Sequence, residues 1–209
     1  MIEVLCYGDS NTYGFMPGGG GRYPSHMRWT GVMQKALGGS CHVIEEGLNG
    51  RTTAWDDPVE GAYRNGTPYL LPCLLSHAPL DLVLLFLGVN DLKKRFDLPA
   101  ADIARSAGSL VDIIRQSGAG PSGAAPAVLL IAPAPLGKLS GYAEMLEGGT
   151  EKSRQLAALY AQTARQLGCA FIDAGSLVRS SDIDGVHLEE KEHRILGEAL
   201  ALQVRKLTS

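Results

Sequence analysis

Five short apolar runs alternate along this chain with segments of helical period, and that alternation is the strongest constraint on what it can fold into. The runs are Ile2–Tyr7, His42–Glu46, Leu80–Leu87, Ala127–Ala132 and Ala170–Asp173. Helical patterns lie between and after them: Trp29–Leu37, a short one near Tyr69–Ser76, Pro99–Gln116, Glu151–Leu167 and Glu189–Leu207. Strands separated by helices pair in parallel, since the crossover must pass over a face of the sheet. The pattern predicts an α/β fold, a three-layer α/β/α sandwich around a five-stranded parallel sheet. In the last helix Ile195, Leu196, Ala199, Leu200, Leu202 and Val204 fall mainly along one stripe, as a helix covering a sheet requires.

The chain has 209 residues, a length that one core can serve. The Gly/Ala/Pro-rich stretch Ser117–Pro126 is too short and too close to the next strand for a domain boundary, so residues 1–209 are read as one domain. Acidic residues number 22 against 19 basic ones, for a formal net charge of -3, with no Lys/Arg run to track a phosphate backbone. Nucleic acid is therefore not an expected partner. The longest apolar stretch, Leu82 to Leu87, is far below the ~20 residues that cross a bilayer, so no membrane span is expected. Met1-Ile2-Glu3 runs straight into Val4–Tyr7 without a basic or long apolar leader, which points to the cytoplasm. Cys6, Cys41, Cys73 and Cys169 show no CxxC spacing and no evident His partner, so neither a zinc site nor a disulfide framework is expected.

Chemistry concentrates where runs end. Gly8-Asp9-Ser10-Asn11-Thr12-Tyr13-Gly14 follows the first, Gly47-Leu48-Asn49-Gly50-Arg51-Thr52-Thr53 the second and Gly88-Val89-Asn90-Asp91 the third, while Asp184-Gly185-Val186-His187 precedes the last helix. In open α/β sheets ligands bind beyond the carboxyl ends of the strands, so these segments share one neighbourhood. A serine hydroxyl is a poor nucleophile at neutral pH and needs a base, whose tautomer a third group must fix. An Asp three residues before a His can accept Nδ1–H within one turn and leave Nε2 facing Ser10. Asp173 and Asp182 are alternative orienting groups. Asp9 is expected chiefly to pin the turn, Asp91 to be structural, and His26, His42, His77 and His193 to be solvated or structural.

The order of these blocks, with Arg28-Trp29-Thr30-Gly31-Val32 and Glu45–Thr53 between them, resembles the SGNH (GDSL) hydrolases and is most similar to their arylesterase/acyltransferase branch. The resemblance spans nearly the whole chain. It implies a flavodoxin-like sheet ordered 2-1-3-4-5, with Ser10, His187 and Asp184 as catalytic residues. It also implies an oxyanion hole from the backbone N–H of Ser10, that of Gly50 and the side-chain amide of Asn90. Asn49-Gly50 suits the wider family, whereas some arylesterases carry Ser-Ala there. The implied reaction is hydrolysis of small-molecule short-chain esters, with acyl transfer to alcohols possible on the same intermediate. No metal or organic cofactor is called for, and relatives are often homo-oligomers. Asp9, Phe15 and Trp55 are placed at the substrate, and the loops Phe15–Arg28 and Pro133–Gly149 are expected to rim the site, Met16, Pro17, Pro133, Pro135 and Leu136 among their apolar residues. The alternatives are a carbohydrate O-deacetylase on the same machinery and a non-catalytic flavodoxin-like module, which would not need the D-x-x-H pair.

Overall fold

The computed structural model describes residues 1–208. Five strands, β1 (Ile2–Gly8), β2 (Cys41–Gly47), β3 (Leu82–Phe86), β4 (Ala127–Ala132) and β5 (Ala170–Asp173), pair in parallel in the order β2-β1-β3-β4-β5. The winding direction reverses between β1 and β3, and the crevice that results lies at their carboxyl ends. The helices are α1 (Ser10–Tyr13), α2 (Trp29–Leu37), α3 (Gly66–Ser76), α4 (Ala100–Gln116), α5 (Gly149–Leu167) and α6 (Glu190–Leu207).

The inner strands are apolar on both faces because both are covered. Leu5, Tyr7, Val83, Leu85, Val128 and Leu130 pack with residues of α3, α4 and α5. The alternate positions Val4, Cys6, Leu82, Leu84, Leu129 and Ile131 pack with residues of α2 and α6. Truncating one such leucine to alanine costs roughly 2–5 kcal/mol. Helix α6 carries Glu190 and Glu192 in its first turn and Arg205 and Lys206 in its last, in line with the helix dipole. From α5 the buried Tyr160 hydroxyl donates to the Leu87 carbonyl at 2.9 Å, bracing the exit of β3 where the third block begins.

The predicted architecture and strand order are borne out, and the differences are at ends. The third apolar run spans Leu80–Leu87, but pairing covers only Leu82–Phe86; Leu80 and Leu87 are buried without joining the ladder. An apolar run marks the core rather than the extent of pairing. Helix α3 starts three residues earlier than expected, at Gly66, because Asn65 caps it by accepting the Thr67 N–H at 2.9 Å. Pro68 lies in the first turn, where its missing N–H leaves no gap.

His193 corrects an expectation. It is fully buried rather than solvated, and its Nδ1 accepts the Trp29 N–H at 3.2 Å across the α2–α6 contact. That bond requires Nδ1 to be unprotonated. Burial, then the charge of Arg28, lowers its pKa to about 4. The unfolded chain takes up this proton below about 6.5 and the folded one only near 4, so stability is lost as pH falls through that window. Asp9 and Asp91, which burial pushes up to about 6, titrate there with the opposite sign. A His193→Gln variant keeps an acceptor for Trp29 and shares those aspartates. Denaturant titrations at pH 7.5 and 5.0 should show the wild type losing on the order of 2 kcal/mol more than the variant; equal losses would contradict a neutral His193.

Candidate active site

The site begins at the close packing of α1 on the sheet. A Cβ at Gly8 would lie 2.8 Å from the Phe86 carbonyl oxygen, and one at Gly47 would lie 2.2 Å from the Tyr13 nitrogen. With no side chains there, the turn holding Ser10 sits directly over the ends of β1 and β2. Asp9 caps that turn by accepting the Asn11 N–H at 2.9 Å. Its carboxyl is buried and does not line the pocket, so it pins the turn and is not placed against substrate.

Ser10 Oγ lies 3.0 Å from His187 Nε2, and His187 Nδ1 lies 2.8 Å from Asp184 Oδ2. All three residues are buried. Asp184 Oδ1 accepts the N–H groups of Val186 at 2.9 Å and His187 at 3.0 Å, while Oδ2 also accepts Gly18 N–H at 3.2 Å. Burial alone would raise this carboxyl's pKa, but the bonds from the His187 side chain and from these backbone groups hold it well below the usual carboxylate range. Asp173 and Asp182 are elsewhere: Asp173 caps the turn after β5, and Asp182 is exposed beside Arg179.

Asn11, to which no role was assigned from sequence, clamps the two halves together. Its Oδ1 accepts Leu188 N–H at 3.0 Å and its Nδ2 donates to the Val186 carbonyl at 3.4 Å, so it grips the backbone on both sides of His187. Above the imidazole stand Phe15, with ring centres 4.7 Å apart, and Tyr142, at 5.8 Å.

Ser10, Gly50 and Asn90, from which an oxyanion hole is expected, line the same pocket. Ser10 opens α1, so its N–H has no intrahelical partner. Gly50 has φ +75°, a backbone state that favours glycine, and a Cβ there would meet Glu60 Oε2 at 2.6 Å. Asn90 Nδ2 donates one N–H to the Arg51 carbonyl at 3.1 Å, which orients the amide and leaves its second N–H free of that bond. Asp91 is structural, as expected: its carboxylate accepts Thr53 N–H at 3.1 Å and the Thr53 hydroxyl, joining the second and third blocks. Arg51 joins the second to the first by donating to the Gly8 carbonyl at 2.9 Å, its guanidinium stacked 4.1 Å over Tyr7.

Ser10, His187, Gly50 and Asn90 line one pocket of about 190 Å³. Phe15, Val89, Tyr142, Met145, Leu146 and Val186 supply most of its apolar lining, and Asn49, Glu60 and Lys93 add polar and charged groups. Of the apolar rim residues expected from sequence only Phe15 is there. Trp55 lines a separate depression on α4, where its Nε1–H donates to Ser106 Oγ at 3.2 Å. Met16, Pro17, Pro133, Pro135 and Leu136 do not line the pocket, which residues 142–146 reach instead.

One group of ligand-type atoms was not foreseen. Cys73 on α3 and His77, the residue that caps its C-terminus four positions on, bring S, N and O atoms within 4.8 Å of one another together with Glu46. His77 Nε2 lies 3.1 Å from Glu46 Oε1, and burial, then Glu46, pushes the Cys73 thiol up to about 12, which keeps it protonated. We read the group as a bond network joining β2 to α3. All four cysteines are free, and among the described residues no helix is long and apolar enough to cross a membrane.

Comparison with known proteins bears on this geometry. No curated protein sequence matches the chain. Among solved structures, a carbohydrate acetylesterase from Sinorhizobium meliloti is 41% identical over 99% of this chain and 100% of its own, with a TM-score of 0.94. The native M. smegmatis aryl esterase gives the same identity, coverage and TM-score. A lipolytic protein of the G-D-S-L family from Veillonella parvula, 17% identical over 99% of each chain, shares the fold at a TM-score of 0.67. The profile of the GDSL-like Lipase/Acylhydrolase family matches residues 6–195, from within β1 to α6. This chain belongs to the GDSL-like lipase/acylhydrolase family of hydrolases.

Proposed function

We propose that this protein is a serine esterase acting on short-chain esters through an acyl-enzyme. The observation that supports this best is the continuous line Ser10 Oγ, His187 Nε2, His187 Nδ1, Asp184 Oδ2, with steps of 3.0 and 2.8 Å, at the base of a pocket. In this reading His187 takes the Ser10 proton as Oγ attacks the ester carbonyl. Asp184, ionised, keeps Nδ1 protonated and stabilises the imidazolium that forms. The N–H groups of Ser10 and Gly50 and the Asn90 amide hold the oxyanion of the tetrahedral intermediate. His187 then returns the proton to the leaving alcohol. Water attacks the acyl-enzyme by the same steps in reverse order, and Ser10 is released with the acid.

The neighbours act on different alcohols, aryl in one and carbohydrate in the other, so substrate class is argued from this pocket. About 190 Å³ is below the usual range for a drug-sized ligand, which favours acetyl and similarly small acyl groups. The aromatic side chains beside His187 would also favour transfer of the acyl group to an apolar alcohol, a second outcome of the same intermediate. We further propose a cytoplasmic setting, in keeping with four free thiols. A homo-oligomeric state would cover Tyr69, Leu71 and Leu75, which are exposed on α3.

Three outcomes are expected. Ser10→Ala and His187→Ala should each lower kcat by on the order of 10³-fold or more with the fold intact, and the double variant should be no worse than either, because the pair acts as a unit. Additive losses in steady-state rates would break that unit. Asn90→Ala should lower kcat by about 10²–10³ with little change in KM, since its bond strengthens as charge develops on the oxygen; a change confined to KM would make Asn90 a substrate binder. In a p-nitrophenyl ester series, kcat/KM should peak at two to four acyl carbons, and added benzyl alcohol should divert the acyl group to benzyl ester. A rise towards long chains, or free acid alone at every alcohol concentration, would refute the pocket argument.

A further inference from the structure

Glu60 and Lys93, which line the pocket, belong to a largely buried ion-pair cluster. Lys93 is 2% exposed and its Nζ donates to Asp57 Oδ2 at 3.0 Å and to Glu60 Oε1 at 2.7 Å. Arg95 reinforces both carboxylates, at 2.8 Å to Asp57 Oδ1 and 3.5 Å to Glu60 Oε1. Asp57 is saturated: Oδ1 also accepts the N–H groups of Val59 and Glu60, each at 2.9 Å. Glu60 differs. Among the described residues its Oε2 receives no hydrogen bond, and it lies 2.6 Å from where a Gly50 Cβ would stand. Lys93 also keeps a third ammonium proton beyond those given to Asp57 and Glu60, and both side chains line the pocket that holds Ser10. The corner is short of partners in other ways too, for Asn49 Oδ1 and Arg64 Nε are buried there without any.

A free acceptor and a free donor on adjacent atoms match a hydroxyl, which both donates and accepts, and fit an alkyl group poorly. We propose that Glu60, held in place by Lys93, is a specificity-determining residue that selects esters whose alcohol half carries a neighbouring free hydroxyl. This rests on the serine-esterase reading above and narrows its substrate class to esters of polyhydric alcohols. A site built to bond a hydroxyl rejects the analogue that lacks it, because the site's own polar atoms are then left unpaired. A hydroxylated alcohol satisfies Glu60 Oε2 in the bound state. A plain alkyl group would desolvate it without compensation.

The test compares two esters of nearly equal size, 2-hydroxyethyl acetate and n-propyl acetate, in wild type, Glu60→Leu and Glu60→Gln. The readout is the ratio of their kcat/KM values. The wild-type ratio should favour the hydroxylated ester by on the order of 10-fold. Glu60→Leu should abolish that preference, and Glu60→Gln, which restores an acceptor, should recover part of it. A wild-type ratio near one would overturn the assignment. So would equal losses on both esters in Glu60→Leu, which would make Glu60 merely a support for Lys93. If the wild type hydrolysed neither ester and Ser10 resisted fluorophosphonate labelling, the esterase reading itself would fail. Labelling of Ser10 together with a flat ratio would remove only the role given to Glu60.

Discussion

The seating of one helical turn against two strand ends is the constraint on which the rest of this structure depends. Ser10 can face the crevice only because α1 lies within van der Waals contact of the β1 and β2 backbones, and that contact exists only where Gly8 and Gly47 have no side chains. Any larger residue would lift the turn and with it Ser10. The strand order does the rest. It places the exits of β1, β2 and β3 side by side, so that three short segments, each unremarkable alone, surround one small volume.

Those segments are locked to one another by groups that never meet a substrate. Arg51 reaches back to the end of β1, Asp91 reaches across to Thr53, and Tyr160 holds the carbonyl just before the third block. Each satisfies buried backbone atoms that would otherwise be costly, so the geometry around Ser10 is a by-product of backbone satisfaction. The pocket lining mixes two chemistries, with Phe15 and Tyr142 beside the imidazole and Glu60 and Lys93 also reaching it.

Much of this was legible in the sequence for identifiable reasons. A parallel sheet covered on both faces writes itself as short apolar runs, and a local acid–base pair writes itself as D-x-x-H. Helix α6 could be read from its stripe. What was hidden depends on side chains whose partners are distant in sequence. Glu60 and Lys93 are 33 positions apart and look like ordinary surface charges until the fold buries one against the other. Tyr142 lies in a loop whose prolines drew attention to the wrong end. Trp55 adjoins the second block in sequence yet turns away to α4, because nearness in the chain says little about direction after a turn. His193 read as solvated because a polar residue in an amphipathic helix usually is, and only the α2–α6 contact supplies its partner. Asn11, adjacent to the nucleophile, was the most discoverable of the omissions.

The Asn11 clamp has a consequence for how the chain comes to be active. Asp184 and His187 are three residues apart and can be aligned by a single turn, but Ser10 and His187 are separated by 177 positions, nearly the length of the molecule. The contact between them is therefore among the most non-local in the fold, and closing it carries the entropy of a loop nearly as long as the chain. A nascent chain still lacking the segment that carries His187 would hold Ser10, Gly50 and Asn90 without the imidazole that Ser10 meets in the folded protein. On the serine-esterase reading proposed above, turnover is a signal that these two distant segments have met.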